Sequence, residues 1–226
     1  MMRKIVLSLI LACLYTLNIS GQEKFKPEWN VGIGFGPTFS AVDFDPSVST
    51  KNLNQFHGGV SVRYITENHL GVIAELNYIQ QGWAESFKEQ PEFSHSHQLN
   101  YIELPLLTHI YFGNKIRYFI NLGPKIAYLI SDSEKMNDAF ADYLASGEVS
   151  ATSPTYQYFR KAEKKLDYGL MAGMGLEFRT GIGNFSLEGR YSFGFGDIYN
   201  NRKSDYFNRS ANRVISAKLT YYVKLF

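Results

Sequence analysis

The chain has 226 residues, with 23 Lys and Arg against 21 Asp and Glu, and a single Cys. A net charge near zero gives no sign of a nucleic-acid or strongly basic partner surface, and one cysteine excludes a disulfide framework. No segment beyond the first twenty residues is apolar for the ~20 residues a spanning helix needs, yet aromatics abound, with 16 Tyr, 17 Phe and 2 Trp.

Arg3 and Lys4 form a basic start, Ile5 to Leu17 a short apolar core, and Ser20-Gly21 a small-residue cleavage region before Gln22. Residues 1–21 therefore read as a secretory leader, too short to span a membrane. Ile10-Leu11-Ala12-Cys13 loosely resembles a lipobox, but apolar residues continue past Cys13 through Leu14, Tyr15 and Leu17. Cleavage after Gly21 leaves 22–226 as one domain without cysteine.

Eight strands follow, at 29–40, 56–64, 70–81, 98–112, 116–130, 166–179, 184–195 and 212–226. Connections alternate: 41–55, 82–97, 131–165 and 196–211 are long and polar, whereas 65–69, 113–115 and 180–183 are tight and rich in turn formers. Within strands, side chains alternate between faces. In 184–193, Phe185, Leu187, Tyr191 and Phe193 share one face, and Ser186, Glu188, Arg190 and Ser192 share the other. The other strands repeat this, with Val31, Ile33 and Phe35, or Ile120, Leu122 and Ile126, on the apolar side. The opposite parity carries Arg63, Glu75, Glu103, Arg117, Lys125, Glu177, Arg179, Glu188, Arg190 and Lys218.

Apolar outside and charged inside is the pattern of a membrane barrel. The expected fold is all-β: an eight-stranded antiparallel up-and-down transmembrane β-barrel with a short helix in the third long loop. The address is the outer membrane, with short turns and both termini in the periplasm and long loops outside. A soluble lipocalin-like periplasmic binder would reverse the faces. Against that, the apolar faces run four or five positions without a charge. In addition, Gly32, Gly34, Gly36, Gly169, Gly173 and Gly175 fall on the charged parity, where small residues make room inside a narrow barrel.

Three stretches carry a further likeness: Glu75-Leu76-Asn77-Tyr78-Ile79-Gln80-Gln81-Gly82, Tyr101-Ile102-Glu103-Leu104-Pro105-Leu106-Leu107, and Asn121-Leu122-Gly123-Pro124-Lys125-Ile126-Ala127-Tyr128. With Asp167-Tyr168-Gly169 running to Phe178, Leu187–Ser192 and Asn212–Ser216, they make the chain resemble the PorT-like outer-membrane β-barrel family of Bacteroidota. The resemblance implies an eight-stranded outer-membrane barrel and nominates no site. Its namesake's link to secretion and gliding is not carried over. One departure concerns the end: Phe226 is aromatic, but the apolar set Leu219, Tyr221, Val223 and Leu225 lies on the other parity.

Three features are candidates for function. The lumen charges read as a salt-bridge plug or as a narrow channel for ions or protons. His95-Ser96-His97, with Glu92 nearby in the second long loop, reads as a polar loop or as part of a metal site without a clear third ligand. Residues 132–145 read as a helix capped by Asp132 or Ser133, with Met136, Phe140, Tyr143 and Leu144 as an apolar stripe. That stripe either folds over the barrel mouth or binds a protein partner. No G-x-S-x-G and no P-loop is present, so no catalytic residue, metal ligand or cofactor is expected. The expected partners are outer-membrane lipid, the barrel-insertion machinery and an unidentified extracellular or periplasmic protein.

Overall fold

The computed structural model describes residues 25–146, 158–203 and 205–225. The predicted leader with Cys13, and Phe226, lie outside these residues. The elements are β1 (Glu28–Asp45), β2 (Thr50–Lys51), β3 (Leu53–Glu67), β4 (Leu70–Glu85), β5 (His95–Phe112), β6 (Ile116–Met136), α1 (Asp138–Ala145), β7 (Leu166–Thr180), β8 (Gly183–Asp197) and β9 (Arg209–Lys224).

Eight long strands pair antiparallel with their neighbours. β1 lies between β3 and β9, and β4 pairs with β5 to close the cylinder. Closure matters because no unpaired strand edge then faces hydrocarbon. β2 is a two-residue strand paired with the far end of β4, beyond its pairing with β3 (Thr50 opposite Glu85). The tight turns use left-handed backbone at His69 (φ 72°) and Gly113 (φ 104°).

The alternation sorts as the sequence predicts. Ile33, Phe35, Val60, Leu104, Leu122, Met174 and Leu187 are exposed on the outer surface, while the charged parity is buried inside. The apolar belt runs from Trp29, Ile116 and Phe178 at the short-turn end to Ile130, Leu166 and Phe195 at the long-loop end. A continuous band of this extent far exceeds the patches a soluble monomer exposes, and it rules out the lipocalin-like arrangement. Near the C-terminus the apolar offset is real: Tyr222 points inward and Val223 outward.

Two expectations are corrected at the long-loop end. The strands run beyond the belt: β1 reaches Asp45, β4 Glu85 and β6 Met136, and β5 begins at His95, so His95 and His97 are strand residues. With 15 to 21 residues in β5, β6 and β7, the strands exceed the ~9–11 that cross a bilayer. The helix starts six residues later than predicted, capped by Asn137, whose side chain accepts from the Phe140 N–H. Residues 132–136 stay extended because Asp132 and Glu134 face inward and meet His97 and His95, while the backbone pairs with β5.

Candidate functional site

Among the described residues, the buried charges of the lumen form three tiers. At the short-turn end Ile65, Tyr111 and Phe119 make an apolar floor with Phe25 against it. Above it, Glu177 accepts from Arg63 and, at 3.5 Å, from Arg117. The two guanidinium groups lie 4.1 Å over the rings of Tyr222 and Tyr111 respectively.

Glu75 is the hub of the middle tier. One oxygen accepts from Arg190 at 2.7 Å, Lys218 at 2.8 Å and Asn77 at 2.8 Å, and the other accepts a second Arg190 bond at 2.8 Å. Arg190 also donates to Glu188 at 2.7 Å, and Glu188 accepts from Asn121 at 2.8 Å. The glycines make this possible: a Cβ on Gly34 would meet Lys218 Cε at 2.6 Å, and one on Gly173 would meet Glu188 Oε1 at 2.2 Å.

In the upper tier, Lys125 donates to Glu103 at 3.0 Å and lies 3.8 Å from Asp167, which also accepts from Asn212. Nine of the ten predicted lumen charges therefore converge inside. Arg179 instead sits at the short-turn rim, 3.7 Å from Glu28. Asp167 is the charge that the sequence reading missed, although it shares the parity of Gly169 and Glu177. With Asp167 in and Arg179 out, the buried charges of the three tiers are five cations (Arg63, Arg117, Lys125, Arg190, Lys218) and five anions (Glu75, Glu103, Asp167, Glu177, Glu188), with Glu85 a further buried acid at the mouth. Buried ions are tolerable when paired and hydrogen-bonded; here every charge has an opposite partner, while Arg63 Nε and Nη2, Arg117 Nε, Arg190 Nε and Asp167 Oδ1 are buried without a hydrogen bond.

Over the upper tier lies an apolar cap. Phe44, Val48, Trp83, Leu99, Tyr199 and Phe207 belong to one buried cluster, to which the loop after β1 contributes Val48 and the loop after β8 contributes Ile198, Tyr199 and Phe207. Trp83 stacks on His97, and Phe44 and Tyr199 pack edge-on against Trp83.

Beside the cap, His95 lies between two carboxylates, with Nε2 2.7 Å from Glu134 and Nδ1 3.5 Å from Glu85. Tyr158 donates to the same Glu85 carboxylate. Among the described residues, no three His, Cys, Asp or Glu groups are arranged to hold a metal ion. Phe140 is buried among Phe87, Phe93 and Tyr158. Tyr143 rests on Phe93, and Met136, Tyr143 and Leu144 are half-buried.

This clamp ties the loop after β4, α1 and the end of the third loop to the barrel, and it lies above the apolar belt. Burial pulls the His95 imidazole down, but bonds and charges from Glu134 and Glu85 outweigh burial and hold it above 6.5. A raised folded pKa stabilises the folded clamp fully below the unfolded value, and the gain fades as pH rises through the folded value. Asp132 works the other way. Its carboxyl is raised by burial but lowered overall by His97 and the Ala162 N–H, so its share is lost only in acid. Hydrogen exchange at α1 and residues 158–162, corrected for intrinsic rates, should therefore accelerate as pH rises above the ordinary imidazole range. His95→Gln should flatten that rise. An unchanged pH profile in the variant would remove His95 from the clamp.

Residues 21–200 match the family model described as outer membrane protein beta-barrel domain. No curated protein matches the chain. Among solved structures, it is similar to Ail, the attachment invasion locus protein of Yersinia pestis (14% identity, covering 87% of this chain and 99% of that one, TM-score 0.43). It is also similar to OprG from Pseudomonas aeruginosa (11% identity, 87% and 95%, TM-score 0.46) and to Neisserial surface protein A (11%, 87% and 99%, TM-score 0.45).

Proposed function

The chain belongs to the outer membrane protein β-barrel domain family, and from that premise we propose that it is a closed barrel acting through its outward loops. It has no conducting role in this reading. The observation that carries this is the paired lumen: five buried cations against five buried anions, under an apolar cap contributed partly by the loops themselves. An eight-stranded barrel has an interior that side chains can fill, and here they do so with paired ions.

The long loops face the cell exterior and the tight turns face the periplasm, after removal of the leader. The partner-facing surface is α1 with the loops around it. Tyr143 and Leu144 supply its apolar component, and Phe140 and Met136 hold the helix in place. Within the family, the motifs from Glu75 to Tyr128 favour the PorT-like members of Bacteroidota.

The test is electrical. Purified barrel in a planar bilayer should give no stepwise conductance above background. Regular ohmic steps from the unmodified protein would overturn the plug and favour the narrow-channel or secretion-associated alternative.

A further inference from the structure

At the long-loop edge of the belt, the residues leading into β7 lie alongside β6. The Leu129 N–H donates to the Lys165 carbonyl, and the Ala162 N–H donates to Asp132. Between the two segments is a notch of about 340 Å³ whose floor is Leu129, Ile130 and Ala162 and whose rim carries Lys161 and Lys165. Its lower end opens directly onto the belt, where Tyr128, Ile130, Leu166 and Tyr168 are exposed. Both lysines are exposed, and among the described residues neither forms an ion pair. Asp132 forms one wall, but its carboxylate is turned to His97 and the Ala162 N–H. Phe159, 73% exposed, stands two residues before Lys161, the kind of aromatic found at membrane interfaces.

We propose that this notch holds one phosphorylated glycolipid of the outer leaflet, its phosphate between Lys161 and Lys165 and its acyl chains on Tyr128, Ile130 and Leu166. Two observations select this occupant. The notch is continuous with the lipid-facing surface, so its ligand already lies in the membrane. Its two exposed lysines border the edge of the apolar belt, where a headgroup phosphate lies, and Lys161 also acts on the Asp132 carboxylate in the notch wall. Lysines at a charged membrane surface each contribute about 1 kcal/mol, so each is worth about five-fold in affinity and the pair about twenty-five-fold. The inference rests on the loops facing outward, as proposed above.

Native mass spectrometry of the detergent-solubilised barrel, titrated with lipid A and with its dephosphorylated form, tests it. The unmodified protein should prefer lipid A, and Lys161→Gln with Lys165→Gln should lose about twenty-five-fold for lipid A and little for the dephosphorylated form. Lys203→Gln, on the loop after β8, should change neither. The double variant must keep its heat-modifiable gel migration; if it does not, the single variants, each expected to lose about five-fold, replace it. Equal binding of the two lipids, or no loss in folded variants, would overturn the site. Lys203→Cys labelled by a membrane-impermeant thiol reagent on intact cells separates the two claims. Without labelling, the outward orientation fails and the leaflet assignment with it. Labelling combined with unchanged lipid binding overturns the lipid site alone.

Discussion

Glu75→Ala should destabilise the barrel by about 3–5 kcal/mol, the range seen when one partner of a buried ion pair is removed. The geometry makes it the most damaging single change in the lumen. Glu75 accepts both Arg190 nitrogens and the Lys218 ammonium, so its loss leaves two cations with Glu188 as the nearest remaining acid. Glu103→Ala should cost less, because Lys125 keeps Asp167 at 3.8 Å. Arg190→Ala should fall nearer Glu75→Ala, since it leaves Glu75 with Lys218 and Glu188 with Asn121. The readout is the temperature at which the fast-migrating unboiled gel band converts to the unfolded one. Unchanged conversion in both Glu75→Ala and Arg190→Ala would show that the ion network does not hold the barrel.

The barrel was legible because its sequence obeys one rule for almost its whole length: period-2 alternation with turn residues at regular intervals. That rule assigned the outward face of every strand and nine of the ten lumen charges. Parity alone could not separate Arg179 from the others, because a long side chain two residues from a turn reaches the rim and pairs with Glu28. Asp167 was missed at the start of a strand, where the apolar pattern had only begun. The mouth was the least legible part. Residues 132–136 were read as helical from a stripe at helical spacing, and what decides their conformation lies far off in sequence: the β5 ladder, with His95 and His97 waiting for Glu134 and Asp132. The cap is equally nonlocal, joining Phe44, Trp83 and Phe207 from three parts of the chain. No sequence periodicity reports such contacts.

The cap supplies the second large effect, and it should differ in kind from the first. Trp83 is fully buried, with Phe44 at 5.2 Å, His97 at 4.5 Å and Tyr199 at 6.3 Å between ring centroids. Truncating a buried Trp to Ala costs about 3–5 kcal/mol. Here the loss should fall on the mouth, because the cap is the apolar cluster that holds Ile198, Tyr199 and Phe207 of the loop after β8, whereas the strands below keep their ladders and ion pairs. Stability in proteins is local where contacts are local. Trp83→Ala should thus leave the heat-modifiable conversion temperature nearly unchanged while raising protease cleavage near Arg202 and Lys203 by on the order of a hundred-fold, the equivalent of the lower end of that cost. A fall in conversion temperature as large as that of Glu75→Ala would mean that cap and lumen unfold as one unit. Loop movement could not then be separated from barrel opening, and the surface proposed to engage a partner would be as rigid as the membrane-spanning wall beneath it.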